Sequence, residues 1–395
     1  MKSILHFMAV FVGLLFYGFG ISPTPVSAAL DIPTHNPVVL CLPGLYYSDP
    51  GNCTPAGPSA YLSQMAEIGI TFPLIPLPAD QANPELVLSE MRYGEMVSTN
   101  APVYPTIEAA VQGQKKQATE KINASFAYIS YDRSEEMDGK RLYYTGRGGM
   151  KAADVSRIGV LPQFQGLTFS RTPNNSFGWI LTFLNATPVE TKRTPGYQNS
   201  DYTGHLLSEY EVVQVYDETI VDDINWYLVG PDEWLPGKVV ARVIPNTTPP
   251  EGVTGDRWIE VNLAEQTIAV YDQRNLVFAT VMASGLDPFW TQPGLFQIYK
   301  KHEKTPMQGA FEADRSDAYY LEDVPWTMYF DQARALHGAY WRTKMGFPQL
   351  HGCVNMTIGD AHWIFDWANI GDWVYVWDPS GNTPTDPNIF ASGGY

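Results

Sequence analysis

The sequence is poor in positive charge. Of its 395 residues, 25 are Lys or Arg and 42 are Asp or Glu, which gives a formal charge of −17 and an isoelectric point near 4.7. A protein that binds a phosphate backbone needs a basic surface, so this composition argues against nucleic acid as a partner. The apolar content of 45% is sufficient for packed cores, and the length predicts two to three domains.

Long apolar runs are also scarce, and the sequence has one, from Ile4 to Ile21. Lys2 precedes it and the small residues around Ser27 follow it, which is typical of an export signal with a cleavage site. Because the run approaches the roughly 20 residues that span a bilayer, an uncleaved anchor is the alternative. We predict a signal peptide over residues 1–28 and an exported protein, at the cell wall or the extracellular face of the cytoplasmic membrane.

Cysteine is a third scarce residue, with three in the chain. An oxidising compartment outside the cytoplasm allows neighbouring thiols to pair. Cys41 and Cys53 bracket a loop rich in Gly, Pro and Asn, so we predict a disulfide between them. Cys353 is left over, and an unpaired thiol in an exported protein is expected to be buried, metal-bound or reactive.

Two stretches before residue 245 match each other at a constant offset of 84 residues: "DGKRLYYTGRGGMKAADV" (138–155) and "DDINWYLVGPDEWLPGKV" (222–239). Short β-rich runs with Gly turns at this period predict two small all-β modules, over 85–160 and 161–245. They resemble the SH3-like modules of exported bacterial wall enzymes. We expect their aromatic side chains to form cores, with a ligand-binding groove as the alternative. The Pro-rich segment 29–84 precedes them.

A separate domain is predicted over residues 257–378. A Pro-rich and Gly-rich linker (246–256) precedes it, and a tail (379–395) follows. "RWIEVNL", "QTIAVYD" and "LVFATVMAS" alternate apolar and polar residues, which predicts an antiparallel meander. Thr357 and Asp360 have the spacing of a helix N-cap, and Gly371 indicates the stop of that helix. "WVYVW" then predicts a final strand.

The chemistry of this domain centres on Cys353, within "HGCVN" (351–355). A nucleophilic thiol needs a base and donors for an oxyanion. His351 is two residues away, which is awkward for a direct bond to sulfur, whereas His337 can approach from a neighbouring segment and is the better candidate. Glycine follows each histidine, at Gly338 and Gly352, where the backbone could approach a substrate closely.

The remaining polar groups of the motif also have expected roles. Backbone N–H groups from Gly352 to Val354 could hold an oxyanion, and Asn355 could orient an imidazole or a substrate amide. Two alternatives remain open at this point. Cys353 could be a buried core thiol, or a zinc ion could be bound by His337, His351, Cys353 and His362, although this spacing matches no usual pattern of paired ligands.

These residues resemble the L,D-transpeptidase (YkuD-like) catalytic domain. That family has His-Gly, a spacer, and then Ser/Thr-His-Gly-Cys, an apolar residue, and Arg or Asn; this chain has "HG" at 337–338 and "HGCVN" at 351–355. "RWIEVNLAEQTIAVYD", "VMASGL" and "TQPGLFQIYKK" also resemble family segments. Leu350 departs from the pattern, because it stands where the family has the hydroxyl residue.

The resemblance implies a mainly β fold with short helices: a YkuD-like β-sandwich catalytic domain preceded by the two SH3-like modules. It implies Cys353 as nucleophile, His337 as base, and His351, Gly352 and Asn355 in the motif that shapes the site. It also implies an acyltransferase without metal or other cofactor, acting on peptidoglycan stem peptides and inhibited by β-lactams of the carbapenem class.

The expected reaction is cross-linking of stem peptides through a thioester acyl-enzyme. An L,D-carboxypeptidase using the same cysteine is the alternative, in which water replaces the acceptor amine. A non-catalytic wall-binding protein, in which the repeated modules act and the C-terminal domain is inactive, is a third possibility. Trp341, in "AYW" after His337, could line an acceptor channel that excludes water.

Overall fold

The structure is a computed structural model and describes residues 76–122, 126–182, 187–198, 201–310, 318–349 and 351–384. Several predictions concern residues outside these ranges: the signal peptide 1–28, the pairing of Cys41 with Cys53, most of the Pro-rich segment 29–84, Leu350, and the end of the tail 379–395. Within the described ranges, no helix is long and apolar enough to cross a membrane.

The described residues form mainly short strands. Before residue 250 these are β1 (Ala79–Gln81), β2 (Arg92–Met96), β3 (Ala101–Val103), β4 (Glu120–Ile122), β5 (Phe126–Tyr131), β6 (Arg133–Met137), β7 (Lys140–Thr145), β8 (Gly148–Lys151), β9 (Val155–Arg157), β10 (Leu167–Phe169), β11 (Ser176–Ile180), β12 (Val189–Lys192), β13 (Tyr202–Leu207), β14 (Val212–Val215), β15 (Asp217–Val221), β16 (Ile224–Gly230), β17 (Glu233–Pro236) and β18 (Val240–Val243).

The later strands are β19 (Trp258–Asn262), β20 (Thr267–Asp272), β21 (Asn275–Val281), β22 (Gly294–Gln297), β23 (Lys300–Gly309), β24 (Tyr319–Asp331), β25 (Arg334–Gly338), β26 (Val354–Met356) and β27 (Trp373–Trp377). The α-helices of the described residues are α1 (Ile107–Gln112) and α2 (Ile358–Trp367). Short 3-10 turns cover Pro84–Val87, Lys115–Gln117, Ala152–Asp154 and Gly237–Val239. The predicted class, mainly β with short helices, is confirmed.

The meander predicted after the linker is confirmed, because β19, β20 and β21 pair antiparallel in order. The predicted final strand is β27, which pairs parallel with β19. Thr357 caps α2 as predicted, with its hydroxyl accepting a hydrogen bond from Asp360 N at 3.3 Å. The helix ends at Trp367, earlier than the predicted stop; Gly371 instead has a positive φ of 97°, which lets the chain turn into β27.

Two seven-stranded sheets enclose the main core. One has the order β1-β10-β21-β20-β19-β27-β22, and the other β26-β25-β24-β5-β2-β9, with β23 paired to β24. Apolar residues of β19 to β21 and of β24 to β26 belong to one buried cluster, together with residues of α2. The sheets therefore pack face to face, and α2 completes the core beside β24 and β25.

The repeat in the sequence is also a repeat of structure. In the first copy, β2 pairs with β5 and β9, and β6, β7 and β8 form a separate sheet; in the second copy, β11 pairs with β14 and β18, and β15, β16 and β17 are neighbours. A 3-10 turn precedes the last strand in both. The matched positions are buried as expected of core: Leu142 and Trp226, Tyr143 and Tyr227, Met150 and Trp234, Val155 and Val239. Whether the modules are SH3-like stays a prediction.

The repeated modules share sheets with the C-terminal domain. β10 pairs antiparallel with β21, and β5 pairs parallel with β24. The predicted linker 246–256 contains no strand, and the hydroxyl of Tyr271 accepts a hydrogen bond from Asn246 N at 3.0 Å. Backbone pairing across the predicted boundaries therefore ties all three segments together, a connection that local sequence patterns do not reveal. The boundaries themselves stay predictions.

Candidate active site

His337 and Cys353 lie on the same face of two neighbouring parallel strands. β25 carries His337, β26 begins directly after Cys353, and the register places His337 opposite Asn355. The residues facing the core between the sheets are Leu336, Val354 and Met356. Because side chains alternate along a strand, Cys353, Asn355 and His337 point to the other side. The pairing therefore makes the predicted nucleophile and the predicted base diagonal neighbours.

The imidazole of His337 is buried, with 1% exposure. Its Nδ1 lies 3.2 Å from the carbonyl oxygen of Gly338, so in the neutral ring Nδ1–H donates and Nε2 keeps its lone pair. Burial lowers the pKa of His337 to about 4, and the positive charge of Arg342 adds to the shift. The ring is therefore uncharged at neutral pH and can accept a proton at Nε2.

The thiol of Cys353 is in its protonated form at rest. Burial raises the pKa of the Cys353 thiol, although a hydrogen bond from the backbone of Ala335 and the charge of Arg334 oppose the shift. The S–H group donates to the carbonyl oxygen of Ala333, with 3.8 Å between sulfur and oxygen. A thiol of this kind reacts only when a base removes its proton, which is the task that a neutral His337 can perform.

Three side chains near the sulfur were not predicted from the sequence: Arg334, Tyr319 and Tyr329. Arg334 is buried and forms an ion pair with Asp331 at 3.0 Å. Burial raises the pKa of both tyrosines, and the charge that Cys353 would carry as a thiolate adds to the shift. In the sequence, the only sign of Arg334 was an acidic and a basic residue, Asp331 and Arg334, three positions apart before "ALHG". The tyrosines belong to β24, and the sequence does not reveal that β24 pairs with β25.

Gly352 is required by close packing of the backbone. A Cβ there would lie 2.9 Å from the carbonyl oxygen of Trp290 and 2.7 Å from Nε of Arg334, and a Cβ on neighbouring Gly285 would lie 2.6 Å from the carbonyl oxygen of His351. Within the described ranges, the backbone N–H groups of Gly352 and Cys353 donate to no other group. These two donors are available for an oxyanion beside the sulfur. The side chain of Val354, by contrast, lies in the core.

His351 has a left-handed backbone, with φ of 71°. This conformation is uncommon for a residue with a side chain and persists where the surroundings fix it. Its imidazole lies between the rings of Phe289 and Tyr319, with centroid separations of 5.7 and 4.7 Å. These ring contacts support the expectation that His351 shapes the site, and His337 keeps the better position for the base.

Asn355 and Gly338 are both closely held by their surroundings, and the roles expected of them stay predictions. The buried amide of Asn355 donates to the carbonyl oxygens of Ala283 at 3.1 Å and Cys353 at 3.0 Å, so it ties Cys353 to the chain just after β21. A Cβ on Gly338 would lie 3.1 Å from Pro325 and 3.2 Å from Cα of Ile358, which shows close packing at this glycine.

The hydroxyl of Thr291 adds a second brace to residues 351–353. It donates to the carbonyl oxygen of Gly352 at 3.0 Å and accepts from Gly285 N at 3.0 Å. With Asn355 on one side and Thr291 on the other, the carbonyls of Gly352 and Cys353 are both engaged. The carbonyl of Gly352 shares its peptide plane with the N–H group of Cys353, so that N–H group has a fixed direction, as an oxyanion site requires.

His362 lies apart from the predicted zinc ligands. Its ring stacks on Trp326 at a centroid separation of 3.7 Å, and its Nε2 lies 3.5 Å from Asp366. Across the part of the chain that the structure describes, no group of three or more His, Cys, Asp or Glu side chains could hold a metal ion. Trp341, by contrast, lies beside the predicted base, with its ring centroid 5.6 Å from that of His337.

A cavity of about 430 Å³ opens beside the nucleophile, and we call it the Cys353 cavity. Its lining residues are Tyr299, Lys300, His302, Thr305, Tyr329, Gln332 and Ala333. Ala333 also accepts the hydrogen bond of the Cys353 thiol, so the cavity lies one residue away from the sulfur. Its polar lining and the cation of Lys300 suit a substrate with amide and carboxylate groups.

Comparison with known proteins gives a family match over part of the chain. Residues 256–376 match the family model described as YkuD, the L,D-transpeptidase catalytic domain. The protein YciB of Bacillus subtilis (strain 168) is named provisionally as an L,D-transpeptidase. It is 25% identical to this chain over 127 residues, and the match covers 28% of this chain and 59% of YciB. The chain thus spans less than two thirds of this relative.

Solved structures with local similarity include the catalytic domain of an Enterococcus faecium L,D-transpeptidase acylated by ertapenem. It is 25% identical, covers 32% of this chain and 100% of that one, and has a TM-score of 0.29. The structure of the L,D-transpeptidase LdtMt1 in complex with imipenem is 18% identical. The match covers 55% of this chain and 92% of that one, with a TM-score of 0.29. Two further L,D-transpeptidase structures, one of them from Enterococcus faecium, are covered over 49% and 50% of their length.

Proposed function

We propose that this chain, whose residues 256–376 match the YkuD domain, is a cysteine-dependent L,D-transpeptidase that joins peptidoglycan stem peptides. The observation that carries the proposal is the pairing of β25 with β26, which sets a neutral, buried His337 beside the protonated thiol of Cys353. In this proposal Cys353 is the nucleophile, His337 is its base, and two backbone N–H groups stabilise the oxyanion.

The first half of the reaction forms the acyl-enzyme. Nε2 of His337 takes the thiol proton, and the thiolate of Cys353 attacks the carbonyl carbon of the third residue of a stem tetrapeptide. The N–H groups of Gly352 and Cys353 stabilise the resulting oxyanion. When the tetrahedral species collapses, the C–N bond breaks, the terminal D-Ala leaves with the proton from His337, and a thioester remains.

The second half transfers the acyl group. An amine of another stem peptide attacks the thioester and passes its proton to Nε2 of His337. The C–S bond breaks, the thiolate leaves, and it recovers the proton from the imidazolium. An L,D-carboxypeptidase would follow the same path with water as the attacking group, so the position of the acceptor decides between the two activities.

Intact mass spectrometry with a carbapenem tests the proposal. The protein should gain the mass of one inhibitor molecule, because the thiolate opens the lactam ring and keeps the acyl group, as the ertapenem-acylated Enterococcus faecium enzyme illustrates. The adduct should be absent from Cys353→Ala. If the wild-type protein forms no adduct while remaining folded, the non-catalytic wall-binding alternative replaces the transpeptidase.

A further inference from the structure

A second cavity, of about 440 Å³, lies away from the nucleophile. It is formed where the second repeat meets the chain between His337 and Cys353, and none of its lining residues belongs to 351–355 or to the Cys353 cavity. We call it the aromatic–amide cavity after six of its lining residues: Phe164, Trp179, Tyr210, Gln81, Gln163 and Gln165. Its volume is in the range of small-molecule sites, about 300–1,000 Å³.

The aromatic side of this cavity is held rigidly. The ring of Phe164 lies 4.4 Å from that of Tyr210 and meets that of Trp179 edge-on at 6.0 Å. The hydroxyl of Tyr210 accepts from Met345 N at 2.8 Å, which ties the ring to the chain beyond β25. Fixed aromatic faces offer a ligand contact area without the entropy cost of ordering them.

The polar side of the cavity presents carboxamides. Gln165 is 6% exposed; its Nε2 donates to the carbonyl oxygen of Asn83 at 2.8 Å, and no described residue donates to its Oε1. Gln163 donates to Leu161 O at 2.8 Å and is otherwise exposed at the rim. Gln165 Oε1 is not one of the described side-chain atoms that are buried without a hydrogen-bond partner, so solvent reaches it. A ligand that brings O–H or N–H groups to the cavity can therefore donate to this oxygen.

The cavity carries no net charge. Among its described lining residues, the only ionised side chain is that of Glu209, and Lys344 pairs with it at 3.2 Å. A charged ligand such as a free stem peptide would gain nothing from this lining and would lose hydration. Rings with apolar faces beside amide donors and acceptors instead suit a ligand that has an apolar face and many hydroxyl groups, which describes a sugar.

We propose that the aromatic–amide cavity binds a neutral saccharide, with one sugar ring against Phe164 and Tyr210 and its hydroxyl or acetamido groups on Gln163 and Gln165. The further step, that this saccharide is the N-acetylated glycan of peptidoglycan, rests on the proposed function. An enzyme that bound the glycan here would hold its strand while the attached stem peptide entered the Cys353 cavity.

The test is binding of a neutral N-acetylated trisaccharide, triacetylchitotriose, to the full chain, measured by saturation-transfer NMR and by tryptophan fluorescence. Phe164→Leu and Gln163→Ala should each weaken binding about tenfold or more, since each removes one ligand contact. Gln117→Ala removes an exposed carboxamide in a 3-10 turn outside the cavity, so it should bind as the wild type does. Thermal melting should show all three variants folded.

The same experiment separates this inference from the proposed function. Cys353→Ala should bind the trisaccharide with unchanged affinity, and Phe164→Leu should still form the carbapenem adduct. A folded protein that forms the adduct but does not bind the trisaccharide, or binds it equally in all variants, overturns the saccharide site and leaves the proposed function intact. Peptide-free glycan strands should compete with the trisaccharide, and competition only by free stem peptide would also overturn the proposal.

Discussion

The Cys353 cavity and the aromatic–amide cavity have nearly equal volumes, about 430 and 440 Å³, but different chemistry. The first lies near a thiol and carries the cation of Lys300; the second holds aromatic rings and amides, and the one carboxylate among its described lining residues is paired to a lysine. Volume alone would not distinguish them. In the proposed function, reactivity depends on a buried base beside a buried thiol, whereas the proposed saccharide site requires neither.

The largest expected effect is a difference in acylation rate between variants of the two histidines near Cys353. His337→Ala should lower the rate of carbapenem acylation by about 10²–10⁴-fold, because it removes the base that takes the thiol proton. His351→Asn should lower it much less, since Asn tolerates the positive φ at this position and His351 contacts rings. Stopped-flow acylation measures both, and trisaccharide binding should be unchanged in both variants. Equal losses in rate would mean that the base is misassigned.

The second prediction concerns pH. Because burial lowers the pKa of His337 to about 4 and raises that of the Cys353 thiol, the neutral pair is the main species across the neutral range. Wild-type acylation should therefore change little from weakly acidic to weakly basic pH, and it should fall as the pH drops through about 4, where the imidazole gains a proton and can no longer act as the base.

The variant without the base provides the contrast. In His337→Ala the thiolate forms only by loss of its proton to solvent, so the residual rate should rise about tenfold for each pH unit below the thiol pKa. Tryptophan fluorescence at each pH checks that the fold persists. A wild-type rate that instead rises steeply through neutral pH would show that His337 does not activate the thiol.

The smallest expected effect is a change of product. Trp341 lies beside His337 and contacts Tyr340 and Tyr128, which suits a side chain that keeps water from the thioester. With a stem tetrapeptide and an amine acceptor, the wild type should form mainly cross-linked dimer. Trp341→Ala should shift the ratio by a few-fold toward tripeptide, and Trp341→Phe, which keeps a ring, should restore it. Chromatography of the products measures the ratio.

One result would contradict the proposal that the acyl group is transferred to an amine. If the wild type yields tripeptide alone at every acceptor concentration, water is the acceptor and the L,D-carboxypeptidase alternative is correct. If Trp341→Ala leaves the product ratio unchanged while the rate falls, the side chain only packs the core.

Part of this molecule was predictable because local patterns determine it. Alternation predicted β19, β20 and β21, the spacing of Thr357 and Asp360 predicted the start of α2, and the offset of 84 residues predicted two copies of one strand arrangement. The sequence also singled out Cys353 and His337, because a thiol and an imidazole, each next to a glycine, are chemically distinctive.

Only the tertiary structure decided what these residues contact. The parallel pairing of β25 with β26 joins residues 16 positions apart, and the pairing of β24 with β25 brings Tyr319 and Tyr329 to the sulfur. Neither pairing leaves a local pattern, because a strand's alternation records which face is buried and not which strand lies beside it. For the same reason the amide of Asn355, expected to orient an imidazole or a substrate, was found to fix the backbone of Cys353. Residue types thus determined the possible chemistry, and strand pairing determined where it can occur.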